Sequence, residues 1–141
     1  MPALEAADRF HSASIHTLRR VRREDLATGI PPARLSALSV LVFGGPRTLG
    51  GLAAAEQVRP PTMTRIVQAL EQDGLVRRVR DARDGRVARV HATAKGKRVM
   101  HQGRARRIAN LAALLKRLTP AELQRVREAA ELVEQALAQQ A

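Results

Sequence analysis

Residues 75 to 92 hold two short β-branched runs, Leu75–Arg80 and Val87–Ala92, joined by the polar hexapeptide Asp81-Ala-Arg-Asp-Gly-Arg86. Val76, Val79, Val87 and Val90 suit a pleated surface, and the Gly-containing polar stretch reads as a hairpin tip. The sequence on either side has helical periodicity with Pro and Gly as punctuation. The expected fold class is therefore mainly α (α+β), with one hairpin set among helices.

Four helices precede the hairpin in this reading. The first runs from Leu4 to about Ala27, with Phe10, Ile15, Leu18 and Val21 at helical spacing, and ends at Gly29 and Pro31-Pro32. The second carries Leu35, Leu38, Leu41 and Val42 and stops at Gly44-Gly45-Pro46. Thr48 is expected to cap a short third helix to about Gln57, although Gly50 and Gly51 each oppose it by about 1 kcal/mol relative to Ala. Pro60 and Pro61 open a fourth, which leaves through Gly74. After the hairpin, Thr93 caps a long fifth helix through Leu115, and Thr119-Pro-Ala-Glu122 is a capping box opening a sixth. Three helices, a recognition-like helix, a hairpin and two more helices give a winged helix-turn-helix over 31–92. The flanking helices, 1–30 and 93–141, need a surface to pack against.

Charge narrows the partners. The 141 residues carry a net charge of +12, and 22 of the 25 basic residues are Arg. Such a chain attracts polyanions. With Phe10 and Phe43 as its two aromatic residues, it lacks the stacking platforms of single-strand binders, which leaves duplex DNA as the expected partner. The absence of cysteine excludes disulfides and thiolate metal sites, and no two histidines stand one helical turn apart, so no metal is expected. No cofactor is expected either. The acidic N-terminal segment does not resemble a signal peptide, and no apolar run approaches the roughly 20 residues of a membrane span, so the expected location is cytoplasmic.

On a helical wheel, Met63, Ile66, Val67 and Leu70 of the fourth helix share one face. Opposite lie Pro61, Arg65, Gln68, Ala69 and Gln72, with Thr62 and Thr64 flanking the apolar stripe. Arg reads guanine edges, Gln reads adenine edges, and Thr contacts phosphate or a thymine methyl. Any surface helix has a polar face, but this one directly precedes six arginines (77, 78, 80, 83, 86 and 89) within thirteen residues. A basic ribbon tip can place an Arg in a minor groove, and Asp84 stands where it could hold the Arg86 guanidinium in a bidentate pair.

These segments resemble the MarR family of bacterial regulators along nearly the whole chain. The centre is Pro61-Thr-Met-Thr-Arg-Ile-Val-Gln-Ala-Leu-Glu-Gln-Asp-Gly-Leu-Val76; the other matches are Asp81-x-x-Asp84-Gly-Arg86, Ala92-Thr93-x-x-Gly96 and Leu118-Thr-Pro-x-Glu122. The resemblance implies that Thr62, Thr64, Arg65 and Gln68 face the major groove. It also implies that Arg86 enters the minor groove, with Asp84 orienting it and Arg83 beside it, and that the first, fifth and sixth helices form a homodimer interface. A two-fold dimer reads a pseudo-palindromic operator. Gly85 departs from the family, which often has Arg there, as do Gly50-Gly51 and Ala92, where Leu is usual.

The resemblance further implies a pocket for a small aromatic or anionic effector, for which His11, His16, Arg19, Arg20 and Phe43 are the candidates, and a repressor that leaves DNA when the pocket fills. The alternative is a nonspecific nucleoid-type DNA-binding protein without an effector, sharing the charge but not the sequence preference. An enzyme is not expected, because no phosphate-cradling glycine loop or nucleophile–base spacing is present. A membrane-surface protein would spread its arginines along one amphipathic helix, not cluster them on a hairpin.

Overall fold

The structure is a computed structural model that describes residues 1–139, in two compact units divided after Arg107. In the first unit, α1 (Pro2–Asp25) continues as a single tight turn, Leu26–Thr28, and ends at Gly29 with φ 68°. α2 (Pro32–Gly44) begins on a proline, whose missing N–H has no helical partner to lose. It buries Leu35, Ala37, Leu38 and Leu41 and leaves through Gly45 at φ 85°. α3 (Leu49–Glu56) and α4 (Pro60–Gln72) follow. Gly74, at φ 71°, then turns the chain into the sheet.

The sheet has three antiparallel strands, β1 (Arg47–Thr48), β2 (Val76–Arg80) and β3 (Ala88–Ala92), in the order β1-β3-β2. β1 was not expected. Two residues carry no readable periodicity, and the pairing of Arg47 with Val90 and Thr48 with Arg89 depends on β3, some forty positions along the chain. It braces the wing against the start of α3.

α3 forms despite its two glycines. The Thr48 hydroxyl accepts the Gly51 N–H at 3.0 Å, and Leu52 and Ala53 are buried, so a cap and tertiary packing outweigh poor intrinsic propensity. The core joins Leu35, Leu38 and Leu41 of α2, Leu52 of α3, Met63, Val67 and Leu70 of α4, and Leu75, Val76 and Val90 of the sheet. α5 (Ala94–Leu115) adds Met100 from its second turn. At the junction the Thr93 hydroxyl donates to the Gly74 carbonyl at 2.6 Å and accepts the Gly96 N–H at 3.1 Å. Gly96 is required there, because a Cβ would overlap the Leu75 carbonyl oxygen.

The second unit holds the end of α5 and α6 (Pro120–Ala138). The capping box is present: Thr119 Oγ1 accepts the Glu122 N–H at 3.3 Å, and Glu122 Oε2 accepts the Thr119 N–H at 2.8 Å. Neither α1 nor α6 buries a residue. Leu4, Phe10 and Leu18 of α1 and Leu132 and Leu137 of α6 are each more than half exposed. No single helix among the described residues is long and apolar enough to cross a membrane.

Candidate nucleic-acid interface

Three fully buried side chains, Met63, Val67 and Leu70, anchor α4 and fix its rotation about its own axis. Pro61, Thr62, Arg65 and Gln68 are exposed on its outer side. Thr64 differs from the rest of that set: it is half-buried, and its hydroxyl donates to the Pro60 carbonyl at 3.0 Å. That proton is engaged in the helix, so only the hydroxyl's acceptor capacity remains for an outside donor. The helix has no side-chain N-cap, and its first two positions are prolines without an N–H. Thr62 therefore carries the one unpaired N–H of the first turn, because Met63 N–H already bonds the Arg59 carbonyl at 3.1 Å.

The wing is rooted by Val76 and Val90, both buried, and runs five paired residues from Val76↔Ala92 to Arg80↔Ala88. Its tip is built from two consecutive aspartate turns. Asp81 Oδ1 accepts the Arg83 N–H at 2.8 Å, Asp84 Oδ1 accepts the Arg86 N–H at 3.0 Å, and Val87 N–H bonds the Asp84 carbonyl at 3.0 Å. This corrects the role expected of Asp84. Two residues from Arg86, its carboxylate lies over the backbone N–H and shapes the turn; it does not pair with the guanidinium. The Arg86 side chain is exposed, as is Arg83. The carboxylate that does meet a guanidinium is Asp81, 3.5 Å from Arg89 Nε. Its pKa is lowered, first by the Arg83 N–H it accepts and also by Arg89. Gly85 is exposed, and a Cβ there meets nothing within 4 Å, so the glycine is not sterically required.

Two features escaped the sequence reading. Arg59, at the N-cap of α4, is an exposed cation beside the named set, as is Arg77, the first of the six hairpin arginines, at the root of the wing. Arg78 Nε donates to Glu71 Oε1 at 2.8 Å, tying the wing to the end of α4.

The first unit also holds a cavity of about 770 Å³ where the end of α1 meets the first half of α2 and the middle of α5. Arg19, Arg22, Arg23 and Arg107 rim it, Ile30, Leu35 and Met100 give it apolar walls, and Ser36 adds a hydroxyl. Asp25 Oδ1 accepts from Arg107 Nη1 at 2.7 Å across its edge. Of the expected pocket residues, Arg19 alone lines this cavity. His11 and His16 stand nearer the N-terminus of α1, and Arg20 steps about 100° around the helix from Arg19. Phe43 sits at the far end of α2, its ring edge-on to His101 with centroids 5.6 Å apart. His11, His16, Arg20 and Phe43 thus lie outside this cavity, which Arg22, Arg23 and Arg107 line instead.

A helix held by its apolar stripe beside a basic, turn-locked hairpin defines a winged helix-turn-helix of the DNA-binding class. The MarR-family sequence profile matches residues 28–87. An uncharacterized HTH-type transcriptional regulator of Mycobacterium bovis is 35% identical over 115 residues, covering 82% of this chain and 80% of that protein. One of Mycobacterium leprae is 32% identical over 121 residues, 86% of this chain and 85% of that protein. The solved structure of a MarR family protein from Bacillus stearothermophilus superimposes with a TM-score of 0.83 at 25% identity, over 97% of this chain and 96% of that one. The chain belongs to the MarR family. It is a DNA-binding transcriptional regulator and not an enzyme.

Proposed function

We propose that the protein is a cytoplasmic, homodimeric repressor that binds a pseudo-palindromic operator and releases it when a small aromatic or anionic compound enters the cavity between α1, α2 and α5. The observation that carries the reading is the pairing of two rigid elements. α4 turns Pro61, Thr62, Arg65 and Gln68 outward from a fully buried Met63–Val67–Leu70 stripe, and the wing tip presents Arg83 and Arg86 on a backbone locked by Asp81 and Asp84. Arg65 and Gln68 are the base readers, Thr62 and Thr64 contact the backbone or a thymine methyl, and Arg86 enters the minor groove. Asp84 acts through the turn.

The dimer is supported by apolar side chains on α1 and on α6, such as Leu4, Phe10, Leu132 and Leu137, that stay more than half exposed among the described residues. The effector is supported by the cavity's make-up, since apolar walls under a cationic rim suit a compound with a hydrophobic body and an anionic head. Filling it would shift the population between dimers spaced for the operator and dimers that are not.

The test starts from a duplex selected from a random pool by the full-length protein. Arg86→Ala is expected to weaken binding to the selected duplex about tenfold or more, in the range of 1–3 kcal/mol for one well-placed Arg–base contact. The sedimentation mass should remain that of a dimer. Unchanged affinity would remove Arg86 from the interface. A parent protein that binds random duplex as tightly as the selected one would replace this reading with nucleoid-type binding.

A further inference from the structure

The geometry of Glu71 and Arg78 points to a device that sets the angle of the wing against the recognition helix, and we infer that this ion pair is a positioning element for sequence-specific DNA binding. The inference rests on α4 and the wing acting as the DNA-reading elements.

Glu71 lies in the last turn of α4, and Arg78 is the third residue of β2. Their Nε–Oε1 distance is 2.8 Å, and each side chain is about one third exposed. Among the described residues, no other side-chain hydrogen bond or ion pair joins α4 to the hairpin. Backbone bonds fix the root of the wing, where Leu75 N–H bonds the Leu70 carbonyl at 2.9 Å and Thr93 N–H bonds the Leu75 carbonyl at 3.0 Å. Beyond the root, β3 is paired on one side with β2 and on the other with β1, which braces it against α3, and among the described side chains only Arg78 ties the hairpin to α4 itself.

Leverage makes this tie matter. Five strand residues put the tip about 17 Å from the root, so a tilt of about 10° at the root moves the tip by about 3 Å. That displacement exceeds what a hydrogen bond to a base edge tolerates. An ion pair one third exposed adds little to fold stability, so its consequence lies in geometry.

Simple electrostatics predicts the opposite behaviour. Glu71 is a carboxylate beside the DNA-binding face of a chain with net charge +12, and deleting it should tighten binding to any duplex. If Glu71 holds the wing, deleting it weakens binding to the selected duplex and leaves random duplex unharmed. The sign of the effect distinguishes the two.

The experiment measures binding of full-length parent, Glu71→Gln, Arg78→Glu and the charge-swapped double variant (Glu71→Arg with Arg78→Glu) to the selected duplex and to random duplex. Glu71→Gln is expected to lose about five- to tenfold on the selected duplex with no loss on random duplex. The double variant keeps the parent's net charge and re-forms the pair in reverse, so its preference should return to within about threefold of the parent. Tighter or unchanged binding of Glu71→Gln to the selected duplex overturns the inference, as does a double variant no better than Arg78→Glu. Either result leaves the wing assignment standing if Arg86→Ala still loses affinity, so the two readings fail separately. Thermal midpoints of all variants should stay close to that of the parent.

Discussion

Gly50 and Gly96 are both helical glycines, yet they meet opposite surroundings. A Cβ on Gly50 meets nothing within 4 Å and its backbone is not left-handed, whereas a Cβ on Gly96 would overlap the Leu75 carbonyl oxygen under the first turn of α5. Gly50→Ala is therefore expected to stabilise the protein by about 0.4–1 kcal/mol, chiefly by restricting the unfolded chain. Gly96→Ala should destabilise it by about 3 kcal/mol, because backbone cannot yield as a side chain can. Denaturant midpoints of the two variants, moving in opposite directions, would check this. The composition of the third helix made Gly50 legible as a local cost. Gly96 stood out only through its place in a family motif; its reason is a contact between residues 75 and 96 that no local pattern encodes.

At the level of elements, helices and hairpin were readable because each has a local cause: a period, a proline start, a glycine exit, or a cap such as Thr119 with Glu122. β1 was not, being two residues long and defined by its partner. The wing tip was half legible. Its residues stood out by composition, but which donor each aspartate would meet depends on backbone geometry, and the carboxylate of Asp84 takes an N–H where a guanidinium was expected. The pKa of Asp81 follows from the same geometry. Its folded value is lowered, so the ionised carboxylate stabilises the tip at every pH above the ordinary aspartate range. That contribution disappears as pH falls through the lowered value. The tip should thus keep its order from neutral pH down into the acid range. Carbon-detected NMR titration of Asp81 should give a midpoint below that of an unstructured aspartate, and a midpoint at or above it would dissolve the paired-turn description.

For the molecule as a whole, the cavity is the feature least accessible from sequence. It needs the last turns of α1, the first half of α2 and the middle of α5 to meet, and its arginines look like any solvated helix face until they do. On the proposed reading, an amphipathic anion such as 8-anilinonaphthalene-1-sulfonate should raise the thermal midpoint of the parent by mass action. Arg22→Ala and Arg23→Ala should each weaken its binding severalfold, followed by fluorescence. Indifference to both substitutions would leave the apolar walls as the whole of the site. The two prolines that open α4 have a consequence of another kind, in the time spent on the wrong DNA. They leave the first turn of the recognition helix a single N–H for a phosphate, so hold on an arbitrary sequence falls to the exposed arginines of a chain with net charge +12. On the proposed reading, dwell on a mismatched stretch is then set by ion pairs that salt screens, and it should shorten steeply as salt rises.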